Sequence, residues 1–307
     1  MTVFAQLSTE EKHEVVSQMT KGSISLRCAI VGMSRDTYYQ FPKRKTARIE
    51  REQELVDELR TMAEKKRFKL GIRTITMAYN RRHKRHGLVI NRKKVARLKK
   101  EYDIPTDIRR RRYQKPQQPK PQDHMIIPEN IVDRHFDVPT PHRIAGTDVT
   151  YLWIPLCRTY AYLANVRDMA TGEYLGWAVS FTNDQALADA SILDVERRHG
   201  DGVLAKMIIH SDRGGTYTAG HFQNNILKAH GVIPSMSRKG NCIDNAPTES
   251  GHGHLKDWFD FSRCRTLEEI KHEVNNVIYY FNEERPQWHR QKMTPVEYRN
   301  HLLLVAA

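Results

Sequence analysis

Three carboxylates stand in unlike surroundings in the second half of this 307-residue chain: Asp148 in Gly146-Thr-Asp-Val-Thr-Tyr151, Asp212 in Ile209-His-Ser-Asp-Arg-Gly-Gly215, and Glu249 in Asp244-Asn-Ala-Pro-Thr-Glu-Ser250. The first two close predicted strands, and the third opens a predicted helix. The intervening gaps are 63 and 36 residues. Each acid alone has a plainer reading: a structural strand Asp, a turn former before Arg-Gly-Gly, a helix-starting Glu. Together they can converge on a pair of hard divalent cations, and such a pair cuts and joins phosphodiester backbones.

The elements that must position them begin after Pro141. Strands are predicted at 144–154, 160–166 and 174–181, with turn residues between them, as an antiparallel meander. A helix over 184–198, a buried strand over 207–211, a helix over 219–230 and a short edge strand over 233–236 follow. A polar loop over 237–247 leads to a helix opened by Thr248. This β-β-β-α-β-α-β-α order predicts a mixed five-strand sheet with helices on both faces. The strands of Asp148 and Asp212 would be neighbours, and Glu249 would face the positive end of its helix dipole. Trp153, Trp177 and Tyr160 are assigned to the core. His210 reads equally as a water- or metal-positioning group and as a satisfied core histidine. Two more helical stretches are expected, over 266–284 and after Thr294.

The front half is different. Residues 1–140 hold 32 Lys+Arg against 17 Asp+Glu, while 141–307 hold 18 against 19, so the whole net charge of +14 comes from the front. Such a half is built to meet a polyanion, and double-stranded DNA is the leading one. A membrane is disfavoured: the basic stretches lack a Trp/Phe-rich apolar face, and no run approaches a membrane span. Ser8 caps a first helix. Residues 24–31, Gly32-Met33 and 34–41 then form a helix-turn-helix pattern, with Arg35 and Thr37 near the start of its second member. A longer helix over 47–66, another from Phe68 towards Gly87 and a basic helix at 90–98 form a second module. There Val95 and Leu98 mark the buried side, and Arg92, Lys93, Lys94 and Arg97 are candidate DNA contacts. Residues 103–139 read as a Pro-rich linker, with Arg109, Arg110, Arg111 and Arg112 suited to phosphates. Nearer the acids, Arg238, Lys239 and Lys256 are candidate phosphate contacts, and Asn241 and Asn245 candidate contacts to frayed bases. The four cysteines show no zinc spacing and read as reduced thiols in a cytoplasmic, nucleoid-associated protein.

Thr147-Asp148-Val149-Thr150-Tyr151, His210-Ser-Asp-Arg-Gly-Gly-Thr-Tyr217, Ser235-Met-Ser-Arg-Lys-Gly-Asn-Cys242, Asp244-Asn-Ala246 and Glu249-Ser250 closely resemble the catalytic core of insertion-sequence transposases of the IS-three group, in their second frame, OrfB. Tyr280-Phe-Asn-Glu-Glu-Arg-Pro286 and Met293-Thr-Pro-Val-Glu-Tyr-Arg299 resemble that group's tail. The resemblance implies an RNase H-like, retroviral-integrase-like core with Asp148, Asp212 and Glu249 as its acidic triad. It implies two Mg²⁺ ions, for which Mn²⁺ can substitute. The implied reaction is strand cleavage at the element's terminal inverted repeats, then attack of the freed 3′-hydroxyl on another phosphodiester, first within the element to give a circle and later in target DNA. Synapsis of two ends implies a homodimer or higher assembly on DNA. The second gap is one residue longer than usual in the group, which an extra residue near the helix at 219–230 explains. Gly251-His-Gly-His254 replaces the group's usual aromatic pair. The chain lacks the heptad zipper supplied by the group's first frame, leaving open OrfB acting alone or with an OrfA partner. On this reading the chain divides into a helix-turn-helix at 1–45, a helical DNA-binding module at 46–102, a linker at 103–139, the catalytic core at 140–262 and a helical tail at 263–307. Two other readings are a catalytically silent DNA-binding regulator, opposed by the three intact acids, and a nuclease without joining activity, opposed by the basic front half.

If the linker arginines meet phosphates, replacing Arg109–Arg112 with glutamine flattens the plot of log affinity against log salt by roughly 3–4 units of slope. Fluorescence anisotropy with duplex DNA over a salt series checks this, and an unchanged slope places the four arginines off the DNA.

Overall fold

The computed structural model describes residues 4–107, 126–238 and 242–306. The chain forms two compact units, one from Met1–Lys66 and Ala96–Pro105, the other from Arg67–Val95 and Thr106–Ala307. Among the described residues no helix is long and apolar enough to cross a membrane.

In the first unit, α1 (Thr9–Gln18) starts at a capping box in which Ser8 and Glu11 satisfy each other's backbone N–H groups. α2 (Ile24–Val31) ends at Gly32, whose φ of +67° is the left-handed conformation that favours glycine. α3 is capped by Ser34. Val16, Cys28 and Val31 form the small core that these helices share, with Tyr38 packed against it. The expected helix-turn-helix pattern is therefore present, but its second member does not stop near Phe41. α3 runs unbroken from Arg35 to Lys65, 31 residues, with Pro42 inside it. Proline removes one i→i−4 hydrogen bond, and the long run rich in good helix formers after it outweighs that loss.

Two more helices precede the sheet. α4 spans Ile72–His83 and α5 spans Arg92–Glu101. Asn80 fixes the chain after α4 by both donating to and accepting from the Ile90 backbone, at 3.1 and 2.8 Å. In α5, Val95 and Leu98 are fully buried, as their spacing predicts.

The rest of the second unit is built on one sheet. Its strands are β1 (Ile144–Ile154), β2 (Thr159–Asp168), β3 (Tyr174–Ser180), β4 (Ile208–Ser211) and β5 (Ile233–Met236). The spatial order is β3-β2-β1-β4-β5: β1 is antiparallel to β2 and parallel to β4, and β5 is parallel to β4. α6 (Gln185–His199) and the turns after β4 cover one face, burying Val166, Leu175, Ile192, Ile209 and Phe222. α8 (Ala246–Lys256) and α9 (Leu267–Tyr279) cover the other, burying Leu152, Ile154, Leu163, Leu255 and Ile278. Helices on both faces of a mixed sheet in this order make an RNase H-like, integrase-type α/β core.

Three local expectations change. The helix at 219–230 is instead a short α7 (Gly215–Thr218) followed by a wide π-helical segment, Phe222–Lys228. Such wide winding is one way a helix accommodates an additional residue. α8 begins at Ala246, earlier than Thr248, and Glu249 remains in its first turn. Trp153 and Tyr160 are exposed and do not belong to the core, while Trp177 packs partly against it. α10 (Pro295–Ala306) closes the chain.

Two glycines test this packing. A Cβ on Gly176 would stand 2.6 Å from the Ser191 carbonyl oxygen of α6. Gly176→Ala should therefore destabilise by about 1–3 kcal/mol. Gly253 in α8 has open space around the same position, so Gly253→Ala should stabilise by about 0.5–1 kcal/mol. Denaturant unfolding of the two variants checks both signs.

Candidate active site

β1 and β4 pair through three register positions, Ile144 with Ile208, Ala145 with Ile209 and Gly146 with His210. The same register continued past the end of β4 sets Asp212 beside Asp148. Both acids thus emerge where a parallel neighbour strand stops, the usual place for a site in an open α/β sheet. α8 reaches the same rim because Gly146 has no side chain: a Cβ there would fall 2.2 Å from Thr248 Oγ1. The residue after Thr248 is Glu249. Gly251 lets the underside of α8 sit close to the sheet, where Tyr174 Oη donates to the Gly251 carbonyl at 3.1 Å and Arg167 to the Pro247 carbonyl at 2.7 Å.

The acids feel one another. Burial, then the nearby Asp212, and then Glu249 push the Asp148 pKa from its ordinary value up to about 8, against the Val149 N–H and the Lys256 ammonium. Asp212 is open to solvent on one side, yet protein crowding its carboxyl raises its pKa too, opposed by the Gly214 N–H at 2.8 Å. Among the described residues no three of the His, Cys, Asp and Glu side chains close into a finished metal-ligand set. The arrangement is a cluster of hard oxygen donors with the Lys256 ammonium nearby, and such donors suit a divalent cation.

The groups around Asp148 were not among the residues singled out from the sequence. His252, one turn after Glu249 on α8, brings Nδ1 to 3.5 Å from Asp148 Oδ2, longer than a made hydrogen bond. Its Nε2 accepts from Asn165 Nδ2 at 2.7 Å, and Asn165 lies directly opposite Asp148 in the β1–β2 ladder. Burial, with Lys256 and Arg167 nearby, lowers the His252 pKa to about 3, so the ring is neutral with its proton on Nδ1. Tyr217 is buried beside both aspartates, its hydroxyl 3.4 Å from Thr147 Oγ1. A buried Asn in an otherwise apolar strand, and a His spaced i+3 from the glutamate, were the available signals. His210 is a core group: Ser235 and Ser237 hydroxyls satisfy its two ring nitrogens at 2.9 and 3.2 Å.

The expected DNA contacts fall into distinct groups. Lys256 ends α8 with its ammonium 4.0 Å from the Tyr151 ring centroid. Arg238 clamps Asp244 through two nitrogens at 2.8 and 2.9 Å, and Arg134 adds a third contact at 2.8 Å. This shapes the loop before α8 and holds the Asp244 carboxyl well below its usual range. Asn245 is buried at the N-cap of α8 without a side-chain capping bond. Arg35 is exposed at the start of α3, whereas the Thr37 hydroxyl is 2.8 Å from Ser34 Oγ in the helix cap. On α5, Arg92 and Lys93 are exposed and Lys94 half-buried, while Arg97 is tied to Glu52 and Glu101 at 2.6 and 2.7 Å. Arg109–Arg112, Lys239 and Asn241 lie outside the described residues.

The integrase core domain family matches residues 139–242, and a second integrase core domain family matches 249–303. Transposase InsK for insertion sequence element IS150 of Escherichia coli (strain K12) is 30% identical over 241 residues, covering 76% of this chain and 78% of that protein. A transposase-like protein of Haemophilus influenzae is 30% identical over 221 residues, covering 71% and 97%. The 31 kDa protein of insertion element IS600 from Shigella sonnei is 27% identical over 286 residues, covering 91% and 100%. Among solved structures, the HTLV-2 integrase catalytic core domain in complex with magnesium aligns at 14% identity and a TM-score of 0.42, over 52% of this chain and 97% of that one. The two integrase core segments and the length of the match to insertion-element proteins lead to one conclusion: this chain belongs to the IS-three-type insertion-sequence transposases, DDE polynucleotidyl transferases with an integrase core.

Proposed function

We propose that this transposase binds the terminal inverted repeats of an insertion sequence, cleaves a strand at each end and transfers the freed 3′-hydroxyl to another phosphodiester, with Asp148, Asp212 and Glu249 as its catalytic and metal-holding acids. The observation that carries this reading is the register of β1 and β4, which sets Asp148 and Asp212 side by side, with Glu249 sensed by the same carboxyl. Divalent cations held there, two Mg²⁺ or Mn²⁺ in their place, would supply Lewis-acid activation of the attacking oxygen and stabilisation of the leaving one.

The chain's own groups do the rest. Glu249 lies in the first turn of α8, at the positive end of the helix dipole. His252 and Asn165 flank Asp148 with neutral polar groups, and the Lys256 ammonium acts on it from the end of α8. Lys256 stands two turns beyond Glu249, placed to hold a phosphate near the acids. Arg35, Arg92, Lys93, Lys94, Arg97 and the linker arginines are proposed to hold duplex DNA through its phosphates, Arg238 and Lys239 to touch phosphate, and Asn241 and Asn245 to contact frayed bases. Two ends joined in one reaction call for at least two copies of the chain on DNA.

The decisive experiment incubates the purified chain with a labelled element end and Mg²⁺ and asks for joined products as well as nicks. Asp148→Asn, Asp212→Asn and Glu249→Gln are each expected to lower joining by roughly a thousandfold or more, the scale of losing metal-ion stabilisation. End binding measured in EDTA should stay within about twofold of wild type, since phosphate contacts set that affinity. Wild-type joining in any of the three removes that residue from the triad. Nicks without joined products across all metal conditions favour the nuclease.

A further inference from the structure

The hairpin tip made by the end of β1 and the start of β2 presents its aromatic side chains on the wrong side for a core. β4 pairs with β1 only through Gly146, and β3 pairs with β2 only from Tyr162 onward, so Thr150–Ile154 and Thr159–Ala161 project as a two-stranded ribbon. One face of the ribbon is buried: Leu152, Ile154 and Ala161 join the core under α8 and α9. The alternation of an antiparallel ribbon then calls for polar residues on the other face. That face instead carries Tyr151, Trp153 and Tyr160, which are 53, 48 and 46% exposed.

These three rings form a single platform. Tyr151 and Trp153 share a face of β1, and Tyr160 is the register partner of Trp153. Tyr160 meets Tyr151 edge-on at 5.6 Å and Trp153 at 5.0 Å, so each ring is braced by its neighbours. Exposed aromatic surface of this kind serves stacking or association. Two observations choose between these. The Lys256 ammonium lies 4.0 Å from the Tyr151 ring centroid, and the same ammonium acts on the Asp148 carboxyl. The platform also lies on the strand that carries Asp148, with Trp153 roughly 17 Å along it at extended-strand spacing. The rings face the side of β1 opposite to Asp148, and the Lys256 ammonium links the two by touching Tyr151 and acting on the Asp148 carboxyl; a stacking surface edged by that cation matches unpaired bases with their phosphates.

We infer that Tyr151, Trp153 and Tyr160 form a stacking platform for unpaired bases of single-stranded DNA leading away from the acidic site. The inference rests on the proposed DNA-processing reading of that site but concerns a separate surface. Stacking is tolerant of sequence because every base has a π face, so the platform holds frayed nucleotides without specifying them. It leaves terminal-repeat recognition to other parts of the chain.

The test uses the full chain in EDTA, so that no chemistry occurs, and follows the anisotropy of a labelled oligo-dT strand and of a blunt, fully paired hairpin duplex. In Trp153→Ala/Tyr160→Ala, oligo-dT binding should weaken about tenfold or more while hairpin binding is unchanged. Trp153→Phe should keep most of the oligo-dT affinity, because an aromatic face remains. The rings are exposed, so thermal unfolding of the variants should match wild type. Wild-type oligo-dT affinity in the double variant overturns the platform. So does an equal loss for both probes, and so does a shift from dimer to monomer in sedimentation with oligo-dT affinity intact, which would mark a surface for a second copy. Asp148→Asn separates the two proposals: it should bind oligo-dT normally while failing to join ends. Ring-dependent oligo-dT binding in a wild-type chain that never joins ends would keep the platform and discard strand transfer.

Discussion

The short parallel pairing of β1 with β4 is the constraint on which the site depends. Three paired positions fix the register, and the two aspartates sit the same number of residues beyond them. A one-residue slip would turn Asp148 away from the α8 face and into the apolar layer under α6, because side chains alternate strictly along a strand. The burial of Ala145 and Ile209 in that layer pins the register, so hydrophobic packing on one side of the sheet decides where carboxylates stand on the other. The crossover between the two strands is carried by β2, β3 and α6, which is why the sequence gap is long while the spatial gap is short.

The second requirement is close approach of α8. It is met by the absence of atoms at Gly146 and Gly251, where a Cβ would strike Thr248, Arg167 or Tyr174. Glycine inside a helix costs roughly 1 kcal/mol relative to alanine. At Gly251 the loss is offset by the contacts that the bare backbone allows, so the two-glycine stretch after Glu249 does not loosen the helix, which continues to Lys256. Bringing like charges together works against folding. The elevated Asp148 pKa records first the burial of its carboxyl and then the nearby acids, and the fold sustains both because strand pairing and two apolar layers hold the elements regardless. On the proposed reading, a divalent cation held by the three acids would relieve that opposition.

Much of this was legible beforehand, and the reasons differ by element. Period-two runs bounded by turn residues located the strands, and their order left little choice of architecture. Gly32 marked a helix end because its left-handed backbone excludes most other residues. The separate helices expected over 34–41 and 47–66 are one, since a helix already propagated on both sides tolerates the hydrogen bond missing at Pro42. Arg238 and Arg97 read as free cations, but their acidic partners, Asp244 and Glu52, became neighbours only through loop closure and helix packing. Trp153 and Tyr160 read as core because large aromatics usually are. Their exposure follows from strands β4 and β3 stopping short, which residue type cannot report.

The sequence by itself determined the chemistry available: three hard carboxylates, one within a strand, one just past a strand end and one at a helix start, a basic front half, and motifs specific enough to name a group. These are local properties, set by side-chain type and by backbone preferences within a few residues. The tertiary structure alone decided which groups share a microenvironment. It set the Asn165–His252 pair beside Asp148, locked Arg238 to Asp244, and left three rings bare on a projecting hairpin. Burial and proximity depend on pairings far apart along the chain, and no short window of residues contains them.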